Sequence, residues 1–305
     1  MKKVKLVNGM LVGMGLFMLA LATTPSQATS IKDNPSLDIT WLGGPTMVLE
    51  FNGVRLLTDP IFGEGDKAFL MGDPNEMFDL KKGPNVKHHK RLTKFPKEEA
   101  SQIDHLILSH AHEDHFDQKA QKTLSKNIPT ILAVADAEKV KAMGFLKTTA
   151  MAWGKSTTLK AGDGSITITA IPAMHSADEA ISSILGKGNG YWFEFKQGNW
   201  RKTVYWTGDS FPTESVKASL KNFGKPDIFI PHLGKVGTSG PLGQISMSGA
   251  DVALWVNQLE PTKILPIHHS SLALYLEPIG ELVTALKGSS AGLDLISEGS
   301  TLHYH

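Results

Sequence analysis

Residues His110 to His115 read HAHEDH, which places three imidazoles and two carboxylates within six positions. Imidazole nitrogen suits zinc, copper, iron or nickel, and a carboxylate can bridge two cations. The cluster follows the apolar run LILS, so it begins where a buried strand would end. The same residue types recur downstream. His175 follows ITAIPAM, Asp209 follows VYWTG, His232 follows DIFIP, and His268 and His269 follow KILPI. Loops at the ends of strands assemble sites in layered α/β folds, because rigid strands aim them at one place. The chain has no cysteine, so thiolate ligation is excluded and any metal would rest on nitrogen and oxygen. With about three protein ligands per catalytic ion, a pair of ions needs roughly six or seven, and this chain supplies them.

The elements that must position these side chains follow from residue patterning. LDITWLG (37–43), TMVLEFN and VRLLTDP read as three consecutive strands, with Asn52-Gly53 as a hairpin signal between the second and third. Residues 62–100 are polar, rich in lysine, and carry KHHKR at 87–91. They read as a long surface excursion, and a loop of that length inside a domain is usually functional. IDHLILS (103–109) is apolar enough for a strand covered on both faces. A helix is expected from Asp117, then a strand over PTILAVA and a helix over DAEKVKAM. SITITAIPA, YWFEFK and KTVYWTGD read as strands, TESVKASL as a helix and DIFIPH as a strand. SGADVALWVNQL reads as an amphipathic helix, TKILPIHH as a strand, EPIGELVTAL as a helix and LDLIS as the last strand. Strands first, then alternating strands and helices, predict a mixed α/β layered domain with helices outside. Spacing alone reveals no linker and no repeat.

The chain has 305 residues and a globular composition, 41% hydrophobic and 20% charged. Its first residues are basic, then apolar, then small and polar, the order of a secretory signal peptide. Ser26-Gln27-Ala28 places the cut after Ala28, leaving residues 29–305 as one domain in the periplasm or outside the cell. The alternative is an uncleaved anchor, for which the apolar stretch is short and contains Asn8. The cut removes Lys2, Lys3 and Lys5 and leaves 28 basic against 30 acidic residues, a net charge of −2. That balance offers no extended basic surface for nucleic acid. A domain of this size needs no disulfides to bury a core.

HAHEDH, followed in order by PAMHS, TGDS and PIHHS, resembles the His-x-His-x-Asp-His signature and later ligands of the metallo-β-lactamase-fold hydrolases. TWLGGPTMVLEFNGVRLLTDPIF, IDHLILSHAHEDHFD and LPIHHSSLALYLEP are similar to the branch containing N-acyl-phosphatidylethanolamine phospholipase D and ascorbate-phosphate lactonase. The resemblance covers nearly all of 38–280 and implies a four-layer αββα sandwich with its site at one edge between the sheets. Carried over, it implies that His110, His112 and His175 bind one ion, that Asp114, His115 and His268 bind a second, and that Asp209 bridges them. The ions would be divalent, zinc first, with manganese or iron as alternatives. A hydroxide between them would be the nucleophile, with Asp114 orienting it and taking its proton, and with Asp209 completing the catalytic pair. Asp59 is a candidate to hydrogen-bond a ligand imidazole. The implied reaction is hydrolysis of a phosphodiester, ester or lactone in a small or phospholipid-like substrate. Two departures bear on the substrate: Gly44-Pro45 stands where relatives often have His-Ala, and His269-Ser270-Ser271 where they often have an aromatic residue and Gly-Thr. Both are expected near the pocket.

Plainer readings stand beside these. HAHEDH could be a solvated polar loop, His175 a hydrogen-bonded core histidine, and Asp209 an acid at a helix start. Of His268 and His269 one is the ligand, and the PIH context favours His268. His269 could donate a proton to a leaving group or make an ordinary polar contact. His232 could reach the pocket rim or be structural. Lys87 to Lys90 could be a solvated basic loop or touch an anionic head group. His105 reads as a core histidine. A periplasmic metal or ligand carrier on the same fold is the non-catalytic alternative.

Overall fold

The structure, a computed structural model, describes Met1 and residues 35–305; the expected cleavage site after Ala28 lies outside the described residues. Leu37, Ile39 and Trp41 alternate with polar neighbours and form β1 (Leu37–Gly43). It is followed by β2 (Thr46–Phe51) and β3 (Val54–Thr58). Asn52 and Gly53 join the latter two with φ of 49° and 77°, the left-handed pair that a tight hairpin needs. The excursion is not structureless. It carries β4 (Phe69–Gly72) and β5 (Val86–His89), paired antiparallel as a separate two-stranded ribbon. Residues 73–85 separate these short strands, too long a connection for a local hairpin signal.

The chain continues through β6 (His105–Ile107), α1 (Gln118–Thr123), β7 (Thr130–Ala133), α2 (Ala137–Ala142), β8 (Thr148–Met151), β9 (Ser156–Ala161) and β10 (Gly164–Ala173). Next come α3 (Glu179–Leu185), β11 (Gly188–Gln197), β12 (Trp200–Trp206), α4 (Glu214–Leu220) and β13 (Ile228–Ile230). The described part ends with α5 (Gly249–Leu259), β14 (Lys263–Ile264), α6 (Gly280–Ala285), β15 (Gly292–Leu293) and β16 (Thr301–Tyr304). Asp117 caps α1 through the Ala120 N–H, and Ser248 with Asp251 forms a capping box on α5. Patterning missed β8, β9, α3 and β16. It also placed the last strand at LDLIS, of which only Leu293 is extended.

Two seven-stranded sheets result, ordered β16-β1-β2-β3-β6-β7-β8 and β15-β14-β13-β12-β11-β10-β9. Each pairs antiparallel through one half and parallel through the other. This internal likeness of the halves was invisible in residue spacing. Ile39, Leu49, Ile107, Ile168, Phe193, Trp206 and Ile230 fill the space between the sheets. The outer face of the first sheet packs Leu57, Leu106 and Leu132 on Ala120 of α1 and Val140 of α2. The outer face of the second packs Tyr205 and Phe229 on Val216 of α4, Trp255 of α5 and Leu282 of α6. Strand alternation thus feeds both layers: Trp206 faces the other sheet while its neighbour Tyr205 faces the helices. Burying side chains of this size stabilises the fold by about 1.5–3 kcal/mol each. The order helix, sheet, sheet, helix is the αββα sandwich expected. No helix among the described residues is long and apolar enough to cross a membrane.

Candidate metal centre

The C-terminal ends of β3, β6, β10, β12, β13 and β14 meet along one edge of the sandwich. They carry Asp59, His110 to His115, His175, Asp209, His232 and His268. Two backbone features fix the approach. His268 sits at φ 63°, in the left-handed region that few non-glycine residues occupy. Gly208, at φ 58°, has no room for a Cβ, which would fall 2.9 Å from Ser109 Cβ. A glycine is therefore required immediately before Asp209.

The ligand atoms of His110, His112 and His175 lie within 4.8 Å of one another, as do those of His115, Asp209, His232 and His268. The first group is the trio predicted. The second contains His115, Asp209 and His268 as predicted, and adds His232. Asp114 lies outside that tight group, with Oδ2 at 3.9 Å from His115 Nε2. It lines the cavity that opens onto the cluster.

Four imidazoles, His110, His112, His115 and His268, are each held by one nitrogen so that the other faces the cluster, whereas His175 Nδ1 is buried without a partner. His115 Nδ1 donates to Asp59 Oδ2 at 2.8 Å, His268 Nδ1 to the Leu233 carbonyl at 2.7 Å, and His112 Nε2 to the Leu185 carbonyl at 3.0 Å. Ser109 Oγ donates to Asp59 Oδ2 at 2.5 Å and accepts from His110 Nδ1 at 2.9 Å. The assigned tautomers leave lone pairs on His115 Nε2, His268 Nε2, His112 Nδ1 and His110 Nε2. His115 Nε2 and His268 Nε2 are buried without a hydrogen-bond partner, although Asp209 oxygens lie 3.3 and 3.7 Å away. His110 Nε2 and His175 Nε2 face each other at 3.1 Å. Buried polar atoms left unpaired are costly unless something satisfies them. Convergent lone pairs beside Asp209 are what divalent cations satisfy, so the donor set fits two metal ions.

The electrostatics agree. Burial, with neighbouring imidazoles, drives His110 well below its ordinary range, and burial brings His112 to about 4 and His175 and His268 to about 3. Burial also disfavours charge on His115, but Asp209, Asp114 and the hydrogen bond to Asp59 outweigh it and hold its pKa well above the usual value. Burial would raise Asp209, yet His268, His115 and the bond from His232 keep it well below the carboxylate range. Burial, aided by Asp209, lifts Asp114 to about 6. The cluster demands positive charge while most of its imidazoles refuse protons. At pH 5.5, metal-free protein titrated with zinc is expected to release about two protons per chain, from His115 and Asp114. Five ordinary imidazoles would release roughly five. Calorimetry in buffers of different ionisation enthalpy counts these protons, and a count of four or more would contradict the neutral-imidazole description.

His232 is resolved by its contacts. It is fully buried, its Nε2 accepts from Trp206 Nε1 at 2.7 Å, and its Nδ1 donates to Asp209 Oδ1 at 2.8 Å. With both nitrogens engaged, it orients the carboxylate and has no lone pair left for a metal. Its sequence signal was the likeness of DIFIPH to KILPIH. His232→Ala is expected to weaken zinc binding about 10- to 100-fold, and Trp206→Phe by less, measured by competition with a chelator. Equal binding in wild type and His232→Ala would remove this orienting role.

His269 does not line the cavity beside the metal cluster. It packs on Trp41 at a ring separation of 4.7 Å, bonds Ser270 Oγ through Nδ1 and the Pro266 carbonyl through Nε2, and lines a separate cleft. The two departures from relatives meet each other: Gly44 N–H donates to Ser271 Oγ at 2.8 Å, and His268 N–H to the Gly44 carbonyl at 2.9 Å. They brace the His268 turn and line no part of the cavity. That corrects the expectation that they shape the pocket. Ser109, which links Asp59 to His110, was missed because a lone serine before HAHEDH carries no signal.

The profile of the β-lactamase superfamily domain matches residues 54–269. A UPF0173 metal-dependent hydrolase of Agrobacterium fabrum is 25% identical over 274 residues, covering 88% of this chain and 100% of the relative. N-acyl-phosphatidylethanolamine-hydrolyzing phospholipase D 1 of Caenorhabditis elegans is 26% identical over 163 residues, covering 51% of this chain and 42% of the relative. Among solved structures, an isothiocyanate hydrolase from Delia radicum gut bacteria superposes with a TM-score of 0.69 at 22% identity, covering 88% of this chain and 99% of the other. A possible metal-dependent hydrolase from Veillonella parvula superposes with a TM-score of 0.69 at 19% identity, covering 88% and 98%.

Proposed function

This chain belongs to the β-lactamase superfamily, and from that premise we propose that it is a metal-dependent hydrolase with two divalent ions in adjacent sites, zinc first. His110, His112 and His175 would hold one ion and Asp114, His115 and His268 the other, with Asp209 shared between them. The observation that carries this reading is the convergence of inward-facing imidazole lone pairs, several fixed by an outer hydrogen bond, around Asp209. Two bound cations would polarise the scissile bond and make water acidic enough to attack near neutral pH.

The chain's own groups supply the rest. Asp114 borders the cavity; burial lifts its carboxyl to about 6 without metal, and a cation beside it would hold it as the carboxylate that orients the attacking water. Asp59 fixes both His115 and, through Ser109, His110, so one carboxylate sets one ring from each ligand group. The reaction class is hydrolysis of an ester, lactone or phosphodiester. Elemental analysis of purified protein is expected to find about two ions per chain, and a panel of those three substrate types tests hydrolysis before and after chelation. No metal, or turnover indifferent to chelation, would sink the reading. Export forms part of the proposal, supported by the basic, apolar, small-polar order of residues 1–28. Protein recovered from the periplasm is expected to begin at Thr29 on N-terminal sequencing.

A further inference from the structure

The cavity opening onto the metal cluster measures about 280 Å³, near the small end of ligand pockets. His112, Asp114, His175 and Asp209 belong to its metal-cluster side, and its walls are apolar. One wall is the ribbon of the excursion, which contributes Met71, Phe78 and Leu80. The end of α3 contributes Leu185 and the exposed Ile184. The loop after β13 contributes Leu242 and Ile245. No lysine or arginine lines it, and Glu113 joins the two aspartates there. Three basic residues of the excursion are paired away from the cavity, Lys87 with Asp73 at 2.6 Å and with Glu76, Lys90 with Asp66, and Arg91 with Glu298; Lys81 and Lys82, beside Leu80, are exposed and do not line it.

The walls are also tied together. Asn75, in the turn of the ribbon, accepts from Gly237 N–H at 2.6 Å and donates to the Leu274 carbonyl at 2.9 Å, while its own carbonyl accepts from Ser239. The ribbon is latched to the loop that forms the facing wall, so the cavity exists before a ligand arrives.

We propose that this cavity selects an uncharged ester or lactone with a short apolar acyl or alkyl group, and disfavours phosphodiesters. The inference rests on the reading of the adjoining cluster as the hydrolytic centre. An apolar group gains by leaving water for these walls. An anionic diester finds no lysine or arginine on these walls to offset its lost hydration; Asp114 and Asp209 belong to the metal centre and Glu113 is paired with Lys139 at 3.2 Å, so the discrimination rests on the apolar walls. Charge recognition of a phosphate by arginine or lysine is absent from the cavity.

Two measurements on the zinc-loaded protein test this. Straight-chain alkyl hydroxamates, titrated by calorimetry, are expected to bind about three- to fourfold more tightly per added methylene until the cavity is full. p-Nitrophenyl butyrate and hexanoate are expected to exceed both the acetate and bis(p-nitrophenyl) phosphate in kcat/KM. Leu242→Lys is expected to flatten the chain-length series. Ile184→Lys, at an exposed rim position that tolerates charge, is expected to raise the diester-to-ester ratio about fivefold. Hydroxamate affinity independent of chain length, or a diester preferred over every ester, would overturn the proposal. Length-dependent hydroxamate binding without hydrolysis of any substrate would leave the cavity assignment standing and remove the hydrolase reading. Hydrolysis with a flat length series would do the reverse.

Discussion

Asp209→Ala is expected to lower kcat/KM of the zinc-loaded protein by about a thousandfold or more and to reduce bound metal from two ions per chain to about one. The magnitude follows from position. Asp209 is buried, with Oδ2 3.3 Å from His115 Nε2 and Oδ1 3.7 Å from His268 Nε2. It is the carboxylate nearest the Nε2 atoms of both imidazoles. Without it, His115, His232, His268 and any cation they gather would keep only Asp114 near the cluster-facing nitrogens, with Asp59 already bonded to the outer nitrogen of His115. The His110, His112 and His175 trio keeps its own geometry, so one ion should remain. Asp209→Asn separates charge from hydrogen bonding, because the amide oxygen can still accept from His232 Nδ1. If charge is what matters, the Asn variant falls within about tenfold of the Ala variant. An Asn variant retaining near wild-type turnover would show that Asp209 acts only as a hydrogen-bond acceptor.

The sequence revealed the trio and most of the second group because each ligand sits just past a strand whose apolar run is easily read. HAHEDH, PAMHS, TGDS and PIHHS all announce a strand end. What it did not reveal depends on three-dimensional pairing. His232 could be a rim residue or a structural one until the indole of Trp206 was found on its second nitrogen. Asp59 was a candidate orienter from its place at the end of RLLTD, but that it holds two imidazoles at once depends on Ser109, which has no motif. The ribbon of β4 and β5 was hidden because its strands are short and half exposed, with burial patterns that lack clean alternation. The cavity was hidden for the same reason, since its walls come from the excursion, α3 and the loop after β13, the parts least periodic in sequence. α3 was legible in principle: Asp178 accepts from Ala180 and Ile181 N–H groups, an ordinary N-cap, ahead of EAISSIL. The GKGNG stretch after that short segment made it read as loop.

Removing the metal is expected to cost stability as well as activity. Chelation should reduce turnover below about 1% of the loaded protein and lower the thermal midpoint by roughly 15–30 °C, with zinc restoring both. Ligands that bind only the native state stabilise it by about 4 kcal/mol when present at a thousand times their dissociation constant, and both proposed sites would contribute. A domain of this size shifts by about 2–4 °C per kcal/mol. Without cations the cluster would be strained at identifiable places. His110 Nε2 and His175 Nε2 face each other at 3.1 Å, and His115 Nε2 and His268 Nε2 are buried without partners. A proton on His115, which the flanking carboxylates favour, replaces only one of the missing charges. The first group has no such substitute, because burial holds its imidazoles neutral. Asp209→Ala should therefore show a smaller chelation shift than wild type, since it binds one ion fewer, and His110→Ala should show a smaller shift through the other site. Equal midpoints with and without chelator in wild type would mean that the cluster is stable without cations, and the hydrogen bonds that aim its lone pairs inward would need another purpose.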